Sequence, residues 1–330
     1  MSTTAVVPAT LAPPPQGAAA PTRHLPFWLG AAALGVALFI ALRLIGNEYG
    51  YYVGYFILQY VVLSSAWNIL GGYAGYVNFG AAGFMATGAY TAIVLRKATG
   101  LDLLPGIVAA AAVAGLLGLA TGYLTLRLRG VYFSIATLCL AVVLHTLVVN
   151  WDYVGGSRGA YIVRPREVPP FVSYGEYLFV VMLALAILTV GIARAVQHSR
   201  IGRGLQALRD NERAAEAVGV PTLRLKLVAA TLCGALMGVA GAPLPYYSGY
   251  LNPEAAFGLA YAVNAIAMPL IGGVGTWAGP VIGAVVLGGL QQAATVTISS
   301  ALNLWIVGWM LVIFVALAPR GILGWFQGRR

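Results

Sequence analysis

The chain has 330 residues, of which 60% are hydrophobic and only 8% charged, with a mean hydropathy of +0.85. A soluble domain carries roughly a quarter charged residues, so this composition excludes a soluble enzyme or binding domain and defines a polytopic membrane protein. The net charge of +10 would point to nucleic acid in a soluble chain; here it bears on topology, and no nucleic-acid partner is expected.

In chain order, residues 1–26 lack a basic n-region, and prolines interrupt every apolar run. They read as a disordered cytoplasmic tail rather than a signal peptide, which makes the run FWLGAAALGVALFIALRLIG an uncleaved span. A span needs about 20 mostly apolar residues. Runs of that kind lie near 27–46, 51–70, 80–95, 103–126, 131–150, 177–193, 227–247, 259–271, 280–299 and 302–318. The eighth is short, with the Gly-rich IGGVGTWAG as its natural extension. The expected fold is therefore all-α, with about ten transmembrane helices and both termini cytoplasmic. The membrane domain covers 27–318, including a charged cytoplasmic loop at 194–226, and a short basic tail follows at 319–330.

Basic residues support that orientation. The segments expected inside hold 13 of the 19 Lys and Arg, seven of them in 194–226, and those expected outside hold six. This is the bias of the positive-inside rule, with the pair Arg96–Lys97 running against it. Cys139 and Cys233 sit in apolar runs and read as small buried hydrophobes, not as a disulfide or a metal pair.

A repeat runs through the chain. GYVNFGAA at 75–82 matches GYLNPEAA at 249–256, an offset of 174 residues; downstream, Gly100, Pro105 and Ile107 match Gly275, Pro280 and Ile282 at an offset of 175. On the ten-span topology, matched positions fall on opposite sides of the membrane. Spans 2–5 and 7–10 thus read as inverted repeats, an arrangement many transporters use for alternating access. The Gly-Tyr-x-Asn stretch marks an interrupted helix in each half.

The chain carries little chemistry of its own. Spans 2–5 and 7–10 contain no Asp, Glu, Lys or Arg, which argues against a proton-coupled carrier built on carboxylates. His145 is the one titratable group deep in a span and is expected to pack against a neighbouring helix. Lys97 precedes Ala98 and Lys226 precedes Leu227, so neither fits the Gly-Lys-Ser/Thr of a P-loop. With three histidines and no ligand clustering, neither a metal site nor a nucleophile–base pair is expected. The chain is not expected to be an enzyme or to bind a cofactor, and ATP-driven transport would have to draw on another protein. Sodium coupling through carbonyls and Asn or Ser side chains stays open.

The loop 194–226 is the most charged stretch. Asp210 or Asn211 is placed to cap a short helix, with Glu212 in its first turn. Gly219 is placed to end that helix, and Pro221 prevents its resumption. Helices this short are marginal alone and need a surface to dock on, either this protein's own helix ends or a soluble subunit.

SRIGRGLQALRDNERAAEAVGVPTLRLKLVAA (199–230) resembles the cytoplasmic loop of the M-type permease subunit of branched-chain amino-acid ABC importers. NILGGYAGYVNFGAAGFMATGAYTA (68–92), LRLRGVYFSIATL (126–138) and IGGVGTWAGPVIGA (271–284) are similar to the same family, in the same order. The resemblance implies an inner-membrane subunit that pairs with a second, homologous permease. It further implies two cytoplasmic subunits carrying ATP and Mg, and a periplasmic binding protein that delivers substrate. It places coupling to the ATPase on Arg209, Asp210, Asn211, Glu212, Ala214, Ala215, Glu216 and Gly219. The importer pattern Glu-Ala-Ala-x-x-x-Gly is met at Ala214, Ala215 and Gly219, but Arg213 stands where the acid belongs and Glu212 lies one place earlier. Tyr76, Asn78, Tyr250, Asn252 and Asn264 are the expected lining of the pathway, as polar or amphipathic groups near the repeat breaks. Branched-chain or related amino acids are the expected substrates. The alternatives are urea or short amides through the same kind of permease, or a stand-alone sodium-coupled carrier.

Overall fold

The computed structural model describes residues 24–45, 48–125, 130–164, 171–297 and 321–327, with positions 168, 305, 308, 309 and 312. The tail at 1–23 and nearly all of the expected tenth span lie outside the described residues. With no water in the hydrocarbon region, each crossing segment must satisfy its own backbone polar groups, and helices accordingly fill the first nine expected spans. They are α1 (His24–Ile45), α2 (Glu48–Asn68), α3 (Ala81–Thr99), α4 (Leu103–Thr125), α5 (Val131–Val149), α6 (Tyr174–His198), α9 (Thr222–Gly241), α12 (Leu259–Gly272) and α13 (Gly279–Thr297). A π-type turn, Ile69–Tyr73, ends α2. Between α6 and α9 lie α7 (Arg200–Asp210) and α8 (Glu212–Ala217); α10 (Leu244–Ser248) and α11 (Pro253–Ala256) precede α12, and α14 (Gly321–Gln327) lies in the basic tail. Two-residue strands β1 (Ala160–Tyr161) and β2 (Tyr250–Leu251) pair antiparallel.

Seven segments of the described residues are long and apolar enough to cross a membrane. α3, whose last turn carries Arg96 and Lys97, and α13 are not among them. The eighth span grows at the end opposite to the expected one: Gly273, at φ 129°, closes α12, and the apolar segment instead reaches back through α11 to Pro253. α1 begins at His24, inside the expected tail.

α3 buries every residue from Ala81 to Ala86, whereas α5 exposes Val131, Ile135, Leu138, Val142 and Leu147. An apolar face of that size belongs against lipid or a partner protein. Cys139 lies on that helix and is exposed, contrary to expectation, while Cys233 is buried; both are free thiols. The apolar run around Cys139 lies on the outer face of the bundle rather than in its core. The His145 ring meets Phe257 edge-on at 5.5 Å, as expected of a packing histidine.

Small residues let the central helices approach closely. Ala110, Ala114 and Gly118 of α4 face Ala230, Gly234 and Gly238 of α9: a Cβ at 234 would stand 2.6 Å from the Ala114 carbonyl oxygen, and one at 238 would stand 2.7 Å from that of Ala110. Such spacing of small residues is how membrane helices associate without a hydrophobic driving force between them. The helix pairing is reciprocal: α2 packs on α12 and α13, and α9 packs on α3 and α4.

The connections sort into two groups at opposite ends of α2. At the N-terminal end of α2, the Arg43 guanidinium lies 3.9 Å from Glu176, Tyr52 meets Tyr247, Arg164 donates to the Tyr247 carbonyl, and β1 joins β2. At its C-terminal end, Asn68 Nδ2 donates to the Thr276 carbonyl (2.9 Å) and Asn68 Oδ1 accepts from the Gly275 amide (3.1 Å). That end also holds α7, α8 and the start of α9.

Candidate functional site

The segment 199–221 folds through local signals. Ser199 caps α7 by accepting from the Gly202 amide at 3.2 Å. Asn211, extended at φ −160°, caps α8 by accepting from the Ala214 amide at 3.1 Å. Glu212 occupies the first turn, where the helix dipole favours an acid. Gly219, at φ 84°, closes the helix: its amide donates to Glu216 O, and the Val220 amide reaches back to Ala215 O, both at 3.0 Å. That double bond is a Schellman motif, in which glycine takes the left-handed position.

α7 and α8 are tied to the bundle at three points. Arg209 Nη1 donates to the Gly72 carbonyl at 2.7 Å, satisfying a carbonyl of the π-type turn. Glu212 is held between Lys226 Nζ on α9 and the Tyr76 hydroxyl, which donates to Glu212 Oε2 at 3.0 Å. At the far end of α8, Thr222 Oγ1 donates to Glu216 Oε1 at 2.9 Å. Gly75, at φ 77°, permits this docking, because a Cβ there would stand 3.0 Å from Arg209 Cγ. Ala214, Ala217 and Val218 remain exposed, Val218 at 79%; Ala215 is buried.

The expected pathway residues lie in three places. Tyr76 joins the cluster just described. Asn78 is buried; its Oδ1 accepts from the Gly80 amide at 2.7 Å at the start of α3, and its main-chain carbonyl takes the Trp67 indole N–H at 2.8 Å. Asn252 plays the matching part for α11, accepting from the Ala255 amide at 2.8 Å, while the Tyr250 hydroxyl donates to the Arg158 carbonyl at 2.7 Å. Asn264 is buried among α2, α12 and α13: its Nδ2 donates to the Tyr60 hydroxyl at 3.0 Å, and its Oδ1 accepts from Gln291 Nε2 at 2.9 Å. Gln291 Oε1 is buried with no hydrogen-bond partner among the described residues.

Lys226, Asn68, Tyr60 and Gln291 were not anticipated as site residues. The available signal was polarity inside apolar runs: the pair Gln291–Gln292 is flanked by GGL and AAT, and Lys226 immediately precedes LVAATL.

Matched positions in the two halves share backbone geometry. Gly75 and Gly249 have φ 77° and 74°, and Gly100 and Gly275 have φ 71° and 80°. Pro105 and Pro280 each stand in the first turn of a helix, where a missing N–H costs nothing.

Apolar helices joined by small-residue contacts, with an exposed charged segment pinned to one end, define an α-helical membrane permease. Residues 51–315 match the family described as the permease component of the branched-chain amino acid transport system, and the chain belongs to that family. Among its relatives is the high-affinity branched-chain amino acid transport system permease protein LivM of Salmonella typhimurium, 29% identical over 294 residues, covering 80% of this chain and 67% of the relative. The probable branched-chain amino acid transport permease protein LivH of Methanocaldococcus jannaschii is 26% identical over 264 residues, covering 75% and 82%. The ribose import permease protein RbsC of Escherichia coli is 28% identical over 215 residues, covering 62% and 65%. No solved structure matches the chain.

Proposed function

We propose that the chain is the permease subunit of an ATP-driven importer of the inner membrane, translocating branched-chain or related amino acids with energy from separate ATP-binding subunits. The observation that carries this reading is the capped helix α8, fixed to the bundle by Glu212 and Glu216 yet presenting Ala214, Ala217 and Val218 to solvent. The bundle supplies the support a six-residue helix needs, and its exposed small and apolar outer face is read as a seat for a partner. The substrate class rests on the names of the LivM and LivH relatives. ATP and Mg belong to the partner subunits, with a second permease and an external binding protein completing the assembly.

In this reading there are ten spans, both termini are cytoplasmic, and spans 2–5 and 7–10 are inverted repeats. Support comes from the matched positive-φ glycines and the reciprocal packing of α2 and α9. The sorting of connections also agrees with it: segments expected outside meet one another, as do those expected inside. The pathway runs past the breaks held by Tyr76, Asn78, Tyr250 and Asn252. Asn264 is its strongest lining candidate, because it joins a buried polar cluster whose acceptor Gln291 Oε1 is unused among the described residues.

The test is purification of the tagged chain from native membranes in mild detergent, with crosslinking beforehand. Recovery of a second permease and ATP-binding subunits, together with ATP-dependent leucine uptake after reconstitution, is expected. A chain that comes out alone even after crosslinking, and whose uptake follows a sodium gradient, would overturn the reading in favour of a carrier.

A further inference from the structure

Resting on the coupling role proposed for α8, we infer that Glu212 is an internal strut rather than a contact for the ATP-binding subunit, and that Lys226 is the residue that positions α8 for coupling. The Glu212 side chain is 15% exposed and that of Lys226 5%. Both carboxylate oxygens are engaged: Oε1 by the Lys226 ammonium and Oε2 by the Tyr76 hydroxyl. The same ammonium lies 4.9 Å from the centroid of the Tyr76 ring, within the range of a cation–π contact. Three groups from three parts of the chain therefore close on one point: the first turn of α8, the first turns of α9, and the break that leads into α3.

The physical consequence is directional. Burying an ammonium is costly, and a paired charge inside a helix bundle adds less stability than a well-packed hydrophobe would. What such a pair supplies is a fixed register between the elements it joins. Glu212 is tied to α9 and to the segment before α3, and α9 in turn packs along α3 and α4. A displacement of α8 is thereby carried into the helices of both halves instead of being absorbed by a loose loop. Thr222 on Glu216 and Arg209 on Gly72 hold the two ends of the segment in the same way. What remains outward on α8 is Arg213, Ala214, Glu216 and Ala217, followed by Val218. Glu216, the other exposed charge of α8, is already engaged by Thr222, so an ion pair from this helix to a docked subunit falls to Arg213, and the matching charge on the partner is acidic.

The experiment uses the assembled importer in nanodiscs, with binding-protein-stimulated ATP hydrolysis and uptake measured side by side in a Cys139→Ser background. A spin label on a cysteine introduced at Val218 reports mobility independently of transport. Lys226→Met, Glu212→Gln and the milder Tyr76→Phe are expected to keep the ATP-binding subunits bound and to loosen the label. Substrate moved per ATP should fall at least about fivefold for the first two, the lower end of typical coupling between sites. Lys226→Arg should restore the ratio, and Arg213→Ala should release the ATP-binding subunits. Release of those subunits by Glu212→Gln but not by Arg213→Ala would overturn the inference, because Glu212 would then be the docking contact. An unchanged transport-to-ATP ratio in Lys226→Met would also overturn it, and should that variant fail to reach the membrane, an unmoved label in Tyr76→Phe has the same force. An unmodified complex that retains no ATP-binding subunit would instead defeat the importer reading itself.

Discussion

Gly219 shows how much one residue can control when a helix is short. Its φ of 84° lies in the left-handed region, yet nothing stands within 4 Å of where a Cβ would be. A substitution there meets strain without a clash, and for a non-glycine residue that strain is about 1–2 kcal/mol. α8 has six residues, so a penalty of that size is enough to fray it. Gly219→Leu is therefore expected to abolish uptake while the protein still reaches the membrane, and Gly219→Asn, whose side chain tolerates this conformation better, to retain most of it. Asn252 is a second residue whose part is local, since its side-chain oxygen caps α11. Asn252→Ser keeps a capping oxygen and should preserve both stability and uptake, whereas Asn252→Ala should cost about 1 kcal/mol, visible as earlier melting in detergent. The Gly219 stop was legible in the sequence because its partners are local, whereas Asn252, expected to line the pathway, turns out to be a cap. The Tyr76–Glu212 bond spans 136 positions and depends on which faces two helices turn to each other, which no local signal encodes.

At the scale of elements, hydropathy located the first nine helices because the bilayer imposes a length, but it did not locate their contacts. The α4–α9 interface is made by residues that contribute little to hydropathy: Ala110, Ala114 and Gly118 against Ala230, Gly234 and Gly238. Adding one methyl at 234 brings a carbon to 2.6 Å from a backbone oxygen, where no side chain can rotate away. Overpacking of this kind costs about 1–3 kcal/mol. Gly289, also inside a helix, has nothing within 4 Å of its would-be Cβ, so alanine there restricts the unfolded chain without a clash and gains roughly 0.5 kcal/mol. Gly234→Ala should thus lower the melting temperature and Gly289→Ala leave it level or raise it, measured on the detergent-solubilised protein. Equal effects at the two sites would remove small-residue packing as the reason for the close approach. The placement of Cys139 follows from the same blindness: an apolar run reads alike whether its face meets protein or lipid.

For the whole molecule, the decisive property is which end faces which compartment. The basic-residue bias assigns 194–226 to the inside, and the contacts bring that segment together with Gly72, Tyr76 and Gly275. The β1–β2 ribbon joins the connections before α6 and before α11, which the same count assigns to the outside. These two sets of contacts are independent of the charge count, so their agreement with it constrains the topology more than either alone. Val218 is 79% exposed in the first set, and Tyr161 is 76% exposed in the second. In a Cys139→Ser background, Val218→Cys should react with a membrane-impermeant thiol reagent only in inside-out vesicles, and Tyr161→Cys only in right-side-out ones. Reaction of both from the same side would break the ten-span topology and the inverted repeat with it, because an even number of crossings would then separate them. Reaction of each from the side opposite to the one expected would keep the repeat but turn α8 outward, and the proposed coupling to a cytoplasmic ATPase would then fail.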